Sequence, residues 1–222
     1  MNLTDKKYLL FDLDGTLTDP MRGITGSVAY ALGKFGINVD DRRELYKFIG
    51  PPLKWAFCEY YGFTEEQATL ARDYYRERFS TIGKYENEVY DGIPGLLDRL
   101  KQRGKTLIVA TAKPEDFSVD ILTHFGLEKY FDFVCGATHD DTRTKKEDVI
   151  EYALSTAKIP DKSLAVMIGD RNFDIVGAKL NGLESVGVTY GYGSREELEG
   201  AGALAVVDTV EELGGLLIGA DE

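Results

Sequence analysis

Asp12 and Asp14 stand one residue apart at the end of the apolar run "YLLF", and Gly15 follows them. A carboxylate in such a place can attack phosphorus and carry an aspartyl-phosphate. A second one can protonate the leaving oxygen and later activate water. Alternation along a strand would send both side chains to one side, where two like charges require a cation or a shared proton. A lone pair of this kind is usually a solvated turn, but flanking by "YLLF" and "GTLTD" argues against that here.

Three further groups have the same setting. Thr111 closes "TLIVAT" before "AKP". Its hydroxyl, nearby backbone N–H groups and the positive end of a helix opening at Pro114 can together hold a phosphoryl oxygen. Lys145 and Lys146 open the helical segment "KKEDVIEYALSTA", and a lysine at a helix start can neutralise both a nucleophile and a transferring phosphoryl group. Asp170 ends "LAVMIGD", with Asp174 four residues on. Hard carboxylate oxygens of this kind suit magnesium, which keeps several waters and uses few protein ligands.

The elements that must position these groups are legible as short apolar runs at 8–14, 106–111, 131–136, 164–170, 184–188 and 203–208. Most are separated by segments with helical spacing, such as Val149, Ile150, Ala153 and Leu154 on one face. Strands alternating with helices predict an α/β fold, a doubly wound parallel sheet covered on both faces. Four chemical groups at strand ends then converge on one edge of that sheet, where ligands of open parallel sheets bind. Residues 17–85 break the alternation: they read as helices over about 23–36, 41–48, 51–61 and 64–81. The predicted organisation is a core of 1–16 and 86–222, with the sheet resuming near Tyr90, and an inserted helical cap over 17–85.

Composition narrows the partners. Lys and Arg total 26 against 38 Asp and Glu, a net charge of -12, with no basic run to offset it. Such a surface repels nucleic-acid phosphates, so no nucleic-acid partner is expected. A small anion would need a local cation or a helix N-terminus. Cys58 and Cys135 are too few and too far apart for a disulfide framework or a zinc pair. No run reaches the roughly 20 apolar residues of a membrane span, and the N-terminus lacks a signal-peptide pattern, so no membrane partner and a cytoplasmic location are expected. His124 and His139 are read as surface residues.

The string "DLDGTLTD" resembles the first motif of the haloacid dehalogenase-like hydrolases in their phosphatase branch, and the other motifs follow in order over nearly the whole chain. The resemblance implies Asp12 as nucleophile and metal ligand, and Asp14 as general acid/base, whose backbone carbonyl also helps hold Mg2+. It implies Thr111 as phosphate-binding residue, Asp170 as direct metal ligand and Asp174 as a group that orients the site or acts through water. The family's lysine is often followed by proline at the entry to its helix. Lys146 takes the proline's place here, so Lys145 matches the catalytic lysine, with Lys146 as the alternative. The implied activity is magnesium-dependent hydrolysis of a small phosphorylated metabolite.

Rival activities share this fold. A dehalogenase lacks the second acid, and a phosphonate hydrolase typically has a small residue in place of Asp14. A phosphomutase and a non-catalytic phospho-acceptor domain remain as alternatives. The substrate should be read by the cap loop "IGPPLKWAF". There Leu53, Phe57, Tyr60 and Tyr61 form a helical stripe, and Trp55 lies about 200° away from it. Trp55 either fills the cap's own core or the seam between cap and core, or faces the leaving group together with Lys54. An aromatic surface beside a cation favours a nucleoside 5'-monophosphate, then a sugar phosphate, over phosphoglycolate.

Overall fold

The computed structural model describes residues 3–219. The chain opens with β1 (Tyr8–Phe11) and β2 (Thr18–Asp19). Helices α1 (Met21–Lys34), α2 (Leu53–Tyr61) and α3 (Glu65–Phe79) follow, and Arg42–Phe48 between the first two is a 3₁₀ helix. After β3 (Glu88–Val89), helices and strands alternate. They are α4 (Ile93–Gln102), β4 (Thr106–Pro114), α5 (Glu115–His124), β5 (Phe133–Ala137), α6 (Lys146–Thr156), β6 (Ala165–Gly169), α7 (Asn172–Leu180), β7 (Glu184–Val188), α8 (Arg195–Ala201), β8 (Ala205–Val207) and α9 (Val210–Ile218).

Six strands form one parallel sheet in the order β5-β4-β1-β6-β7-β8. Consecutive residues in its central strands, such as Leu9, Leu10 and Phe11, have no exposed surface, so both faces of the sheet are covered. On one face Leu10, Ile108 and Met167 pack against Val149, Ile150 and Ala153 of α6 and Ala178 of α7. Each of the larger side chains among these, Leu10, Ile108, Met167, Val149 and Ile150, contributes about 1.5–3 kcal/mol by leaving water. The strand order reverses at β1, with β4 on one side and β6 on the other. A crevice beyond the carboxyl ends of these three strands is where an open sheet of this kind offers a binding site.

The chain divides into two compact units: residues up to Thr18 together with those from Val89 onward, and Asp19–Glu88. The second unit is helical. Leu45, Phe48, Phe57 and Phe79 are buried in it, and the Phe57 and Phe63 rings stack at 5.8 Å. Helix α3 is set by reciprocal capping: Thr64 Oγ1 accepts from the Gln67 N–H, and Gln67 Oε1 accepts from the Thr64 N–H. The expectation that the sheet resumes near Tyr90 is corrected. Glu88–Val89 pairs with Thr18–Asp19 in a separate two-stranded sheet, and the large sheet takes its next strand at Thr106. A two-residue strand leaves no hydrophobic period to read. Among the described residues no helix is long and apolar enough to cross a membrane.

Candidate active site

Strand β1 ends at Phe11, and the Asp12 N–H still donates to Ile168 O at 2.9 Å. The chain then turns: the Leu17 and Thr18 N–H groups donate to Leu13 O, and the Gly15 N–H donates to Thr18 O. Gly15 adopts φ +86°, and a Cβ there would lie 2.1 Å from Asp170 Oδ2. Glycine is required on both counts. Because the strand stops before Asp12, alternation does not set the two carboxylates, and each takes its own lysine. Asp12 Oδ1 lies 2.7 Å from Lys146 Nζ, and Asp14 Oδ2 lies 2.7 Å from Lys113 Nζ.

The lysine beside Asp12 is Lys146, which corrects the expectation placed on Lys145. Lys145 is the extended residue that caps α6, and its side chain is exposed. Lys146 is the first helical residue and 5% exposed. One residue of register is about 100° of rotation at a helix start, enough to exchange the core for solvent. Gly177 on α7 makes room, since a Cβ there would stand 3.0 Å from the Lys146 Cγ. The ammonium has three protons and three acceptors: Asp12 Oδ1 at 2.7 Å, Asp174 Oδ1 at 2.7 Å and Ala110 O at 3.1 Å. Burial pulls its pKa down, but the carboxylates of Asp12 and Asp174 more than offset this and hold it above the usual lysine value.

Asp170 and Asp174 follow β6, fully and almost fully buried. Asp174 Oδ2 accepts from the Arg171 N–H at 3.0 Å, and Asp170 Oδ2 accepts from the Tyr192 N–H at 2.8 Å. Burial pushes the Asp174 carboxyl up to about 6 despite Lys146. Burial also raises Asp170, with Asp174 and Asp12 adding to the effect. Asp14 is raised by burial as well, against the pull of Lys113. Oxygens of Asp12, Asp170 and Asp174 lie within 4.8 Å of one another. Four buried carboxylates thus face two buried ammonium groups, Lys113 and Lys146. Asp14 Oδ1 and Asp170 Oδ1 are buried with no hydrogen-bond partner. An excess of two negative charges with orphaned carboxylate oxygens fits a divalent, oxygen-seeking cation.

Thr111, in β4, is 2% exposed, and its Oγ1 accepts from the Lys113 N–H at 3.3 Å. The β4–β5 register shifts between Ala110 and Pro114, at the residues facing the crevice. The structure thus brings Asp12, Asp14, Thr111 and Asp170 to the strand ends, Asp174 to the first turn of α7, and Lys146 rather than Lys145 beside Asp12. Lys54 and Trp55 lie on α2 in the helical unit. Lys54 Nζ is 3.6 Å from Glu65 Oε2, and Trp55 is 45% exposed with its ring edge-on to Tyr60. Trp55 therefore does not fill the core of its own unit.

Sequence reasoning missed two parts of the site. Lys113 sits two residues after Thr111 at the same strand end, which was the available signal. The 190–193 turn positions Asp170 through a backbone N–H, which no side chain announces. Its trace in the sequence is the glycine pair: a Cβ at Gly191 would lie 2.3 Å from Gly15 O, and one at Gly193 2.0 Å from Asp170 O.

The chain is similar to known proteins over most of its length. The family described as "Haloacid dehalogenase-like hydrolase" matches residues 9–188. A 5'-nucleotidase of Pseudomonas aeruginosa is 49% identical over 190 residues, 86% of each chain. The tyrosine-protein kinase PtkA of Mycobacterium tuberculosis is 37% identical over 211 residues, 93% of this chain and 71% of its own. The crystal structure of a predicted phosphatase from Clostridium acetobutylicum superposes with a TM-score of 0.92 at 55% identity, covering 94% of this chain and 96% of that one.

Proposed function

The chain belongs to the haloacid dehalogenase-like hydrolases and is a phosphatase, and from that premise we propose that it hydrolyses nucleoside 5'-monophosphates through an aspartyl-phosphate on Asp12. The observation that carries this reading is the Asp12 carboxylate held at 2.7 Å by a buried lysine inside a cluster of acids. Asp12 attacks phosphorus, and the bond from phosphorus to the leaving oxygen breaks as Asp14 gives that oxygen its proton. Asp14 then takes a proton from water, which opens the acyl phosphate and returns Asp12 and inorganic phosphate. Burial lifts the Asp14 pKa and Lys113 restrains the rise, so the group can both give and regain a proton. Lys146 holds the Asp12 carboxylate in position at 2.7 Å, and the Thr111 hydroxyl would bind a phosphoryl oxygen.

Asp12, Asp170 and the Asp14 backbone carbonyl would hold magnesium, which when bound offsets the charge of the phosphoryl group. Both oxygens of Asp174 are engaged by Lys146 and the Arg171 N–H, so its role is to orient. The substrate follows from the 5'-nucleotidase relative and from the exposed Trp55 beside Lys54, an aromatic and cationic pair suited to a nucleoside.

The test is phosphate release from a panel of nucleoside 5'-monophosphates, hexose phosphates and phosphoglycolate, with and without magnesium. Nucleotides should give the highest kcat/KM, and chelation should abolish turnover. Asp12→Asn should retain the fold and lose more than about 10²-fold in kcat, the least that loss of an acid or base costs. Preference for phosphoglycolate would overturn the substrate, and isomerisation of a hexose 1-phosphate would make the chain a mutase. Labelling of a tyrosine peptide from ATP in place of hydrolysis would favour the kinase chemistry of the second relative.

A further inference from the structure

The connection from β5 to α6 delivers Lys146, and it closes on itself. The Thr138 N–H donates to Arg143 O, and the Arg143 N–H donates to Thr138 Oγ1, both at 3.0 Å. Asp140 Oδ1 accepts from the Thr142 N–H at 3.1 Å and from its hydroxyl at 2.7 Å. Asp141 takes the left-handed conformation, φ 63°. A loop folded on its own backbone is compact, but nothing in these bonds fixes it to the sheet.

The Arg143 side chain does. Its Nε donates to Gly136 O at 2.9 Å, at the end of β5. Its Nη2 reaches Glu115 Oε2 at 3.5 Å, in the first turn of α5, and the same carboxylate oxygen accepts from the Gly136 N–H at 3.1 Å. The guanidinium carbon lies 3.6 Å from the centre of the Tyr152 ring, on α6 itself. One planar cation therefore joins β5, α5 and α6, with 22% of its side chain exposed. This arrangement uses the fork of donors and the flat face that arginine has and lysine lacks. Three residues further on, Lys146 must reach Asp12, Asp174 and Ala110 O at once. A four-carbon side chain meets three acceptors together only if its backbone origin is fixed.

We propose that Arg143 is a positioning residue for phosphoryl transfer, clasping the entry of α6 so that the Lys146 ammonium spans Asp12 and Asp174; the proposal rests on the reading of Lys146 given above. Arg143 touches none of the reacting groups. Its effect should appear in kcat and act through Lys146.

The experiment is a double-mutant cycle between Arg143→Ala and Lys146→Ala, read with a generic aryl phosphate and saturating magnesium. Arg143→Ala should lower kcat by roughly tenfold to a hundredfold, the scale of a misplacement near 1 Å, with KM changed little. In the Lys146→Ala background the same substitution should have almost no further effect, because its target is gone. Arg143→Lys should resemble Arg143→Ala and serves in its place if the alanine variant fails to fold. Equal kcat losses in both backgrounds, an effect confined to KM, or unfolding of both Arg143 variants would assign a structural role and overturn the proposal. If Lys146→Ala alone keeps wild-type kcat, the reading of Lys146 fails instead, which the cycle reports separately.

Discussion

At the scale of single residues, the site is decided by which lysine enters it. Lys146→Ala removes the cation shared by Asp12 and Asp174 and should lower kcat by about 10²–10³-fold, as loss of a fixed electrostatic group in an active site does. Lys145→Ala changes an exposed cap and should stay within about twofold, the range of an isolated surface substitution. Steady-state kinetics of the two variants decides the point, and the reverse ranking would remove Lys146 from the mechanism. The sequence could not settle this because helix boundaries are ambiguous by a residue or two and no proline or capping side chain marks this one. Asp12, Thr111 and Asp170 were legible because each stands at the end of an apolar run, a boundary that hydrophobicity defines sharply. Lys113 was not, because its partner Asp14 is 99 positions earlier in the chain.

At the scale of elements, the site is an edge: three strand ends, one helix start and one turn. The strand runs at 106–111, 131–136, 164–170, 184–188 and 203–208 all appear in the sheet within a few residues, since buried parallel strands are continuous apolar runs. The short β2 and β3 and the 3₁₀ turn of Arg42–Phe48 carry no such period. Glycines allow close approach here, where the Gly15 turn meets the Asp170 carboxylate and the 190–193 turn. Gly15→Ala should therefore behave as an active-site lesion. The added Cβ would stand 2.1 Å from the Asp170 carboxylate, and displacement of that carboxylate should cost at least about 10²-fold in kcat/KM. A variant with wild-type kinetics would mean that the turn and Asp170 do not need their present spacing.

At the scale of the whole molecule, buried acids connect the site to stability. Asp174 has a folded-state pKa of about 6 against an ordinary value of 3.8, and Asp14 and Asp170 shift the same way. A raised carboxyl pKa means that the folded state binds the proton more tightly than the unfolded state. For Asp174, stability is therefore gained as pH falls from above 6 towards 3.8, and the cost of its ionised form is fully felt above 6. On the proposed reading magnesium binds the ionised form, so the rise in Tm that it causes should be larger at pH 8 than at pH 5. Calorimetry in chelator and in saturating magnesium at both values measures this, and an equal rise would separate the metal from these carboxylates. The same scale explains why the helical block was visible as a departure from alternation, whereas the bounds at Asp19 and Glu88 were not. Thr18–Asp19 and Glu88–Val89 lie side by side as paired strands, so the chain leaves for the helical segment and returns from it at neighbouring positions, roughly 5 Å apart across a strand pair. A cassette held that way can be lengthened, shortened or exchanged without rethreading the sheet.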